Sequence, residues 1–267
     1  VASLPEVALA LLVVEDTRLA LGRLAAAWRS RFSLPLIAVT GSNGKTTTKE
    51  MIASILKATF GEAVLSTAGN YNNDIGLPLT LLRLNAGHRA AIIEMGMNHP
   101  GEIAYLAGIA RPGVAVVTNA QRAHLAGMGS LEAIAREKGS IYSGLDEHGI
   151  AVFSADDPWA YLWRAQSRGL GVMTFGFEQP ADVSGKAYLH GLESRLSVVA
   201  AGGQFEVFLS LPGQHNARNA LAAAAACLAA GVSLAAVQAG LASFRGLKGR
   251  LQRRAALHGS VLLDEDR

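Results

Sequence analysis

The chain has a single cysteine, Cys227, among 267 residues, which excludes an intramolecular disulfide and favours a reducing cytoplasm. Set in an alanine-rich run, Cys227 reads as a small buried hydrophobe and not as a nucleophile. Long apolar runs are also missing. No stretch of about 18 strongly apolar residues occurs, and Ala220–Ala230 is too short and too rich in alanine to span a bilayer. The first residues do not read as a signal peptide. An excess of one charge is lacking too: the net charge is +3 and the basic residues are scattered, so nucleic acid is not an expected partner. There is no internal repeat and no low-complexity linker. What remains is a globular chain, 50% hydrophobic and 17% charged, long enough for one large domain or two modest ones.

Its most informative stretch runs from Leu34 to Thr48, where an apolar, β-branched run feeds a glycine-rich turn that opens into a helix. Gly41-Ser42-Asn43-Gly44-Lys45-Thr46 has the character of a phosphate cradle. Gly41 and Gly44 permit backbone angles that put several N–H groups on one concave side, and the helix N-terminus favours an anion. Lys45 adds a point charge, and Thr46 is placed to offer its hydroxyl to a magnesium ion between two phosphates. The longer G-x-x-x-x-G-K-[ST] pattern is not met, since Val39 stands where it requires glycine. An ordinary strand-to-helix turn is the competing reading.

The rest of the chain alternates strand and helix as far as about Gly176. Ala90–Ile93 ends in Glu94, and Val114–Val117 ends in Thr118-Asn119; both are continuous apolar runs suited to a parallel sheet covered on both faces. Ligands bind beyond the carboxyl ends of such strands, so Glu94 and the loop after Asn119 are expected to face the same crevice as the glycine loop. The fold class is therefore α/β, a doubly wound and mostly parallel sheet with a phosphate-binding loop. Between about 182 and 212 strand-like segments follow one another with no room for helices, which adds a small antiparallel excursion. Two helices follow, about Asn216–Ala230 and Ser233–Phe244, and then a last strand at Val261–Leu263. Before the loop, Ala8–Val14 reads as a buried strand. Asp16–Arg31 reads as a helix with Leu19, Leu21, Leu24 and Trp28 near one face. Residues 1–31 are read as the tail of a preceding domain with a connecting helix, 32–260 as a central domain, and 261–267 as the start of a linker. Both ends read as cut from a longer protein.

Two further features bear on chemistry. The loop 69–76 carries Asn70, Asn72 and Asn73 in a glycine-bounded turn, which suits ligand contact, although loops are polar in any case. From Ser130, an expected N-cap, a helix presents Leu131, Ile134, Ala135, Ile141, Tyr142 and Leu145 on one stripe, with Lys138 in its middle. A lysine on such a face must snorkel, pair with an acid or lose its charge. Once neutral and close to a metal, it can take up carbon dioxide as a carbamate.

Taken together these residues resemble the Mur ligases, the ATP-dependent amide-forming enzymes of peptidoglycan precursor synthesis. Gly41-Ser42-Asn43-Gly44-Lys45-Thr46-Thr47 is similar to their ATP loop and Glu94-Met95-Gly96 to their acidic magnesium motif. Ala123-His124-Leu125 followed by Lys138-Gly139-Ser140-Ile141 resembles their metal-binding histidine and carbamylated lysine. Gly213-Gln214-His215-Asn216-Ala217-Arg218-Asn219 resembles the adenine-side motif, and Lys248-Gly249-Arg250 the stretch before the last domain. Within the family, the 69–80 loop and the 123–145 segment look most like members that add D-alanyl-D-alanine to UDP-N-acetylmuramoyl tripeptide. Asp264 keeps the first acid of the family's next motif, but Glu265 departs from it.

The resemblance implies a cytoplasmic, monomeric ligase that works through an acyl phosphate. Lys45 and the loop residues through Thr47 would hold ATP. Thr46 and Glu94 would hold magnesium, and His124 with carbamylated Lys138 a second metal. Arg250 would steady the transferred phosphoryl group. His215, Asn216, Asn219 and Asp264 would sit beside the nucleotide, and Asn70, Asn72 and Asn73 beside the acceptor. Competing readings are another Mur ligase, a folylpolyglutamate synthase-like ligase, or a non-catalytic ATP-binding module. Lacking the outer domains that bind UDP and position the amine, the piece by itself is expected to be inactive.

Overall fold

The computed structural model describes residues 12–122, 128–190, 193–246, 252–255 and 261–264, the last two segments as backbone only. In chain order these give α1 (Thr17–Arg29), β1 (Leu36–Thr40), α2 (Lys45–Phe60), β2 (Val64–Ser66), α3 (Gly76–Leu81), β3 (Ala90–Glu94), α4 (Glu102–Ala110) and β4 (Val114–Val117). After them come α5 (Leu131–Gly139), β5 (Ile150–Ser154), α6 (Ala160–Gln166), β6 (Gly171–Gly176), β7 (Val183–His190), β8 (Glu193–Ala200) and β9 (Gly203–Leu209). The series closes with α7 (Gln214–Ala229), α8 (Leu234–Ser243), β10 (Gln252–Ala255) and β11 (Val261–Asp264).

The main sheet runs β2-β3-β1-β4-β5-β6-β7-β8-β9. From β2 to the β6–β7 pair all neighbours are parallel, and β7, β8 and β9 are antiparallel. The apolar runs of β1 and β4 are continuous because their successive residues serve two cores. Ile37, Val39, Val114 and Val116 face a core closed by α2, α7 and α8, whereas Leu36, Ala38, Ala115 and Val117 face one closed by α1, α3, α4, α5 and α6. Cys227 lies fully inside the first core, and burial raises its thiol pKa, as its setting in the sequence implied. In the second, Trp163 is completely buried and donates from Nε1 to Ala135 O at 2.9 Å.

Two expectations need correction. Residues 12–14, the described part of the expected first strand, are not strand, and Leu12 and Val13 are exposed. The helix after them does start at an Asp16 cap, but it turns Gly22 and Ala25 inward while Leu19 and Leu24 face solvent. Close approach favours the choice: a Cβ on Gly22 would meet Tyr105 Oη of α4, so a residue without one lets α1 settle there with the tyrosine in place. The expected antiparallel excursion is present as β7, β8 and β9, within the main sheet. β7 pairs beside β6 at Phe175–Val183, which carries the same sheet onward under α7 and α8.

Candidate functional site

β1, β3 and β4 lie side by side, in register at Val39–Glu94 and Thr40–Val117. Their carboxyl ends therefore open onto one crevice, and the glycine loop follows β1 into it. Gly41 (φ +151°) and Gly44 (φ +78°) both adopt backbone that disfavours other residues, and their neighbours exclude side chains as well. A Cβ would lie 1.9 Å from Thr118 Oγ1 at Gly41 and 2.2 Å from Asn219 Oδ1 at Gly44.

The loop is braced from the end of β4. Ser42 N donates to Asn119 O at 3.0 Å, Asn43 N to Asn119 Oδ1 at 3.0 Å, and Thr118 Oγ1 to Asn43 O at 2.8 Å. Gln121 N donates to Ser42 Oγ at 2.9 Å, and Asn43 Nδ2 to Gln121 Oε1 at 2.6 Å. Lys45 Nζ folds back to Gly41 O at 2.9 Å. Among the described residues no side chain caps the N-terminus of α2, which leaves its first amides open to an anion.

Cavities flank the loop on both sides. One, of about 390 Å³, is lined by Asn43, Gly44, Thr47 and Asn119 and by His215, Asn216, Arg218 and Asn219 of α7. The other, of about 410 Å³, is lined by Lys45, Asn72, Asn73, Asn98, His99 and Tyr105 among others. The α2 N-terminus forms the wall between them. A nucleotide lying in the first cavity would thus direct its terminal phosphate toward Lys45 and the second.

Two buried charges lie nearby, Glu94 behind Asn72 of the second cavity and Lys138 within electrostatic reach of Lys45. Glu94, 2% exposed, accepts from Asn72 Nδ2 at 2.8 Å through Oε1, while its Oε2 is buried with no donor among the described residues. A buried carboxylate oxygen without a partner is costly, and a hard cation would satisfy it. Lys138, 1% exposed, makes no hydrogen bond or ion pair among the described residues. Burial, reinforced by repulsion from the Lys45 ammonium, lowers its pKa from 10.5 to about 7 against a smaller opposing pull from Glu137. Glu137 does not pair with it because its carboxylate holds the start of α4, accepting from Gly101 N at 2.9 Å and Ile103 N at 3.0 Å.

The family model of the Mur ligase middle domain matches residues 39–227. The chain belongs to the Mur ligase family. It is 42% identical over 257 residues to the UDP-N-acetylmuramoyl-tripeptide--D-alanyl-D-alanine ligase of Haemophilus influenzae, covering 95% of this chain and 56% of that one. A crystal structure of MurF from Acinetobacter baumannii matches with a TM-score of 0.89 at 39% identity, covering 95% of this chain and 55% of its own. The MurF ligase from Thermotoga maritima in complex with ADP matches with a TM-score of 0.81 at 31% identity, over 95% and 58%. The chain spans about half the length of the curated relatives it matches.

Within this Mur ligase domain, Asn43, Gly44, Thr47, His215, Asn216 and Asn219 line the first cavity and Lys45 the second, Glu94 is hydrogen-bonded to Asn72 of the second cavity, and Lys138 lies within electrostatic reach of Lys45. Asn72 and Asn73 line the second cavity, whereas Asn70 is exposed and does not. Part of Asn73 is already committed: its Oδ1 accepts from Gly76 N at 2.8 Å at the start of α3. His124, Arg250 and the Asp264 side chain lie outside the described residues. Among the described residues, no three His, Cys, Asp or Glu side chains gather as a metal cluster. Sequence reasoning overlooked Thr118 and Gln121, which brace the loop, and Glu137, whose capping role depends on a contact across 34 residues. Only the position of Thr118 and Gln121 just beyond β4 hinted at them.

Proposed function

We propose that this chain is the ATP-binding core of a ligase that adds D-alanyl-D-alanine to UDP-N-acetylmuramoyl tripeptide through an acyl phosphate. The observation that carries the reading is the start of α2 lining two cavities, Gly44 and Thr47 in one and Lys45 in the other, with Glu94 hydrogen-bonded to Asn72 of the second cavity. Such a layout puts a phosphoryl donor on one side and a carboxylate acceptor on the other, and catalysis becomes positioning and charge neutralisation. The substrates are those for which the Haemophilus influenzae relative is named.

In this reading the loop amides and Lys45 hold the β and γ phosphates. His215, Asn216 and Asn219 receive the nucleoside end, with Asp264 close to it. Thr46 and the Glu94 oxygen without a donor among the described residues would hold magnesium, which would supply charge neutralisation at the phosphates. Asn72 orients Glu94 and, with Asn73, faces the acceptor, while Arg250 steadies the transferred phosphoryl group. Lys138 has the properties of a carbamate-forming lysine. At a pKa of about 7 much of it is a neutral amine, whose lone pair attacks the carbon of carbon dioxide with loss of one proton to solvent. The product is an anionic oxygen donor, which with His124 would serve a second cation. Domain limits at about 32 and 260 and a cytoplasmic location complete the proposal.

The test is turnover in the protein expressed from its complete reading frame. Phosphate release should require both UDP-N-acetylmuramoyl tripeptide and D-alanyl-D-alanine. Release with a folate and glutamate, or with a single amino acid in place of the dipeptide, would move the chain to another branch of the family.

A further inference from the structure

Lys49 is a second lysine on α2, one turn beyond Lys45, and its side chain is completely buried. Burying an ammonium this fully is unfavourable unless every contact is matched. Here it is matched: Nζ donates to Thr67 O at 2.7 Å and pairs with Glu50 Oε1 at 2.7 Å. Thr67, 1% exposed, stands just after β2 and leans on β3. Its N–H donates to Ile92 O at 3.2 Å, and its Oγ1 accepts from Glu94 N at 2.9 Å. An unbroken polar path therefore runs from α2 through Lys49 and Thr67 to the backbone of Glu94, the residue with the unpartnered carboxylate oxygen.

From this path we infer that Lys49 is a positioning residue for a divalent cation, setting the distance between the α2 N-terminus with Thr46 and the carboxylate of Glu94. The inference rests on the reading of Glu94 as a cation ligand. Helix and strand are separate elements, and the described polar link between them passes through this one ammonium. A thioether of similar length would fill the space but release Thr67, and Glu94 would then be free to drift relative to the helix that carries the phosphates. Partners that orient a metal ligand matter about tenfold or more for metal affinity.

ADP affinity of the 267-residue chain, measured by calorimetry with magnesium and again with chelator, gives the metal-coupling ratio. Lys49→Met should lower that ratio by about tenfold while the metal-free affinity stays as in wild type. A merely structural lysine would lower Tm and leave the ratio alone. Glu94→Gln serves as the control. A lost ratio in Glu94→Gln with an intact one in folded Lys49→Met overturns the Lys49 inference by itself, whereas an intact ratio in Glu94→Gln overturns the ligand reading beneath it. Should Lys49→Met not fold, Thr67→Val decides: it keeps the carbonyl that Lys49 holds and deletes only the hydroxyl that fixes Glu94, so an intact ratio in this variant also refutes the inference.

Discussion

Replacing Lys138 by methionine keeps most of the side-chain volume and removes the charge. The lysine pKa is lowered from 10.5 to about 7 by burial first and by Lys45 second. At about 1.4 kcal/mol per pH unit, this corresponds to a ceiling of about 5 kcal/mol against the folded state when the group is protonated. The sign follows from proton counting. Below the folded value of about 7 both states carry the proton and the whole penalty is present. Between about 7 and 10.5 the unfolded chain holds a proton that the folded chain has released, so stability rises with pH and the penalty fades. Lys138→Met lacks the titrating group. It should therefore be more stable than wild type at pH 6 by several kcal/mol, with the advantage shrinking at pH 8 and nearly gone by pH 10. Urea unfolding of both proteins at these three values measures the difference directly. A wild-type-minus-variant difference that stays constant across the range would refute the argument, because it would mean that Lys138 keeps its charge through a compensating partner.

Other consequences can be checked singly. Gly44→Ala forces a side chain into left-handed backbone and to within 2.2 Å of Asn219 Oδ1, so ADP affinity should fall by about tenfold, matching a strain of about 1–2 kcal/mol, with the fold retained by circular dichroism. Trp163→Ala should cost about 3–5 kcal/mol in denaturant unfolding, since it empties a fully buried site and orphans the carbonyl of Ala135. In the protein from the complete reading frame, Lys138→Ala should lose most activity and regain part of it when a small carboxylic acid is added to occupy the carbamate position. Recovery with chloride but not with the acid would show that a carbamate is not what was lost.

Much of the crevice was legible because its signals are local. The runs ending at Thr40, Glu94 and Val117 are short and continuously apolar, and the doubly wound rule places their carboxyl ends together without further information. Lys138 was conspicuous because a charge interrupted a three-four stripe. What escaped notice depended on partners far away in sequence. Glu137 looks like any solvent-facing glutamate of α5 until α4 is brought against it, and Lys49 looks like ordinary helix charge until Thr67 arrives from β2. The face of α1 was misjudged because leucines outweigh glycine and alanine in any periodicity count, while the structure selects the small residues for close approach to Tyr105. Strand adjacency beyond β6 was open for the same reason: hairpin grammar reveals antiparallel neighbours and not which sheet they join.

The central claim, that the α2 N-terminus and Lys45 hold nucleotide phosphates between the two cavities, is tested most directly by calorimetric titration of the chain with magnesium ADP and magnesium ATP. Wild type should show one saturable site for each nucleotide, and Lys45→Ala should show no measurable heat of binding while unfolding at an unchanged temperature. Equal affinity in wild type and Lys45→Ala would contradict the account, whatever the remainder of the protein does.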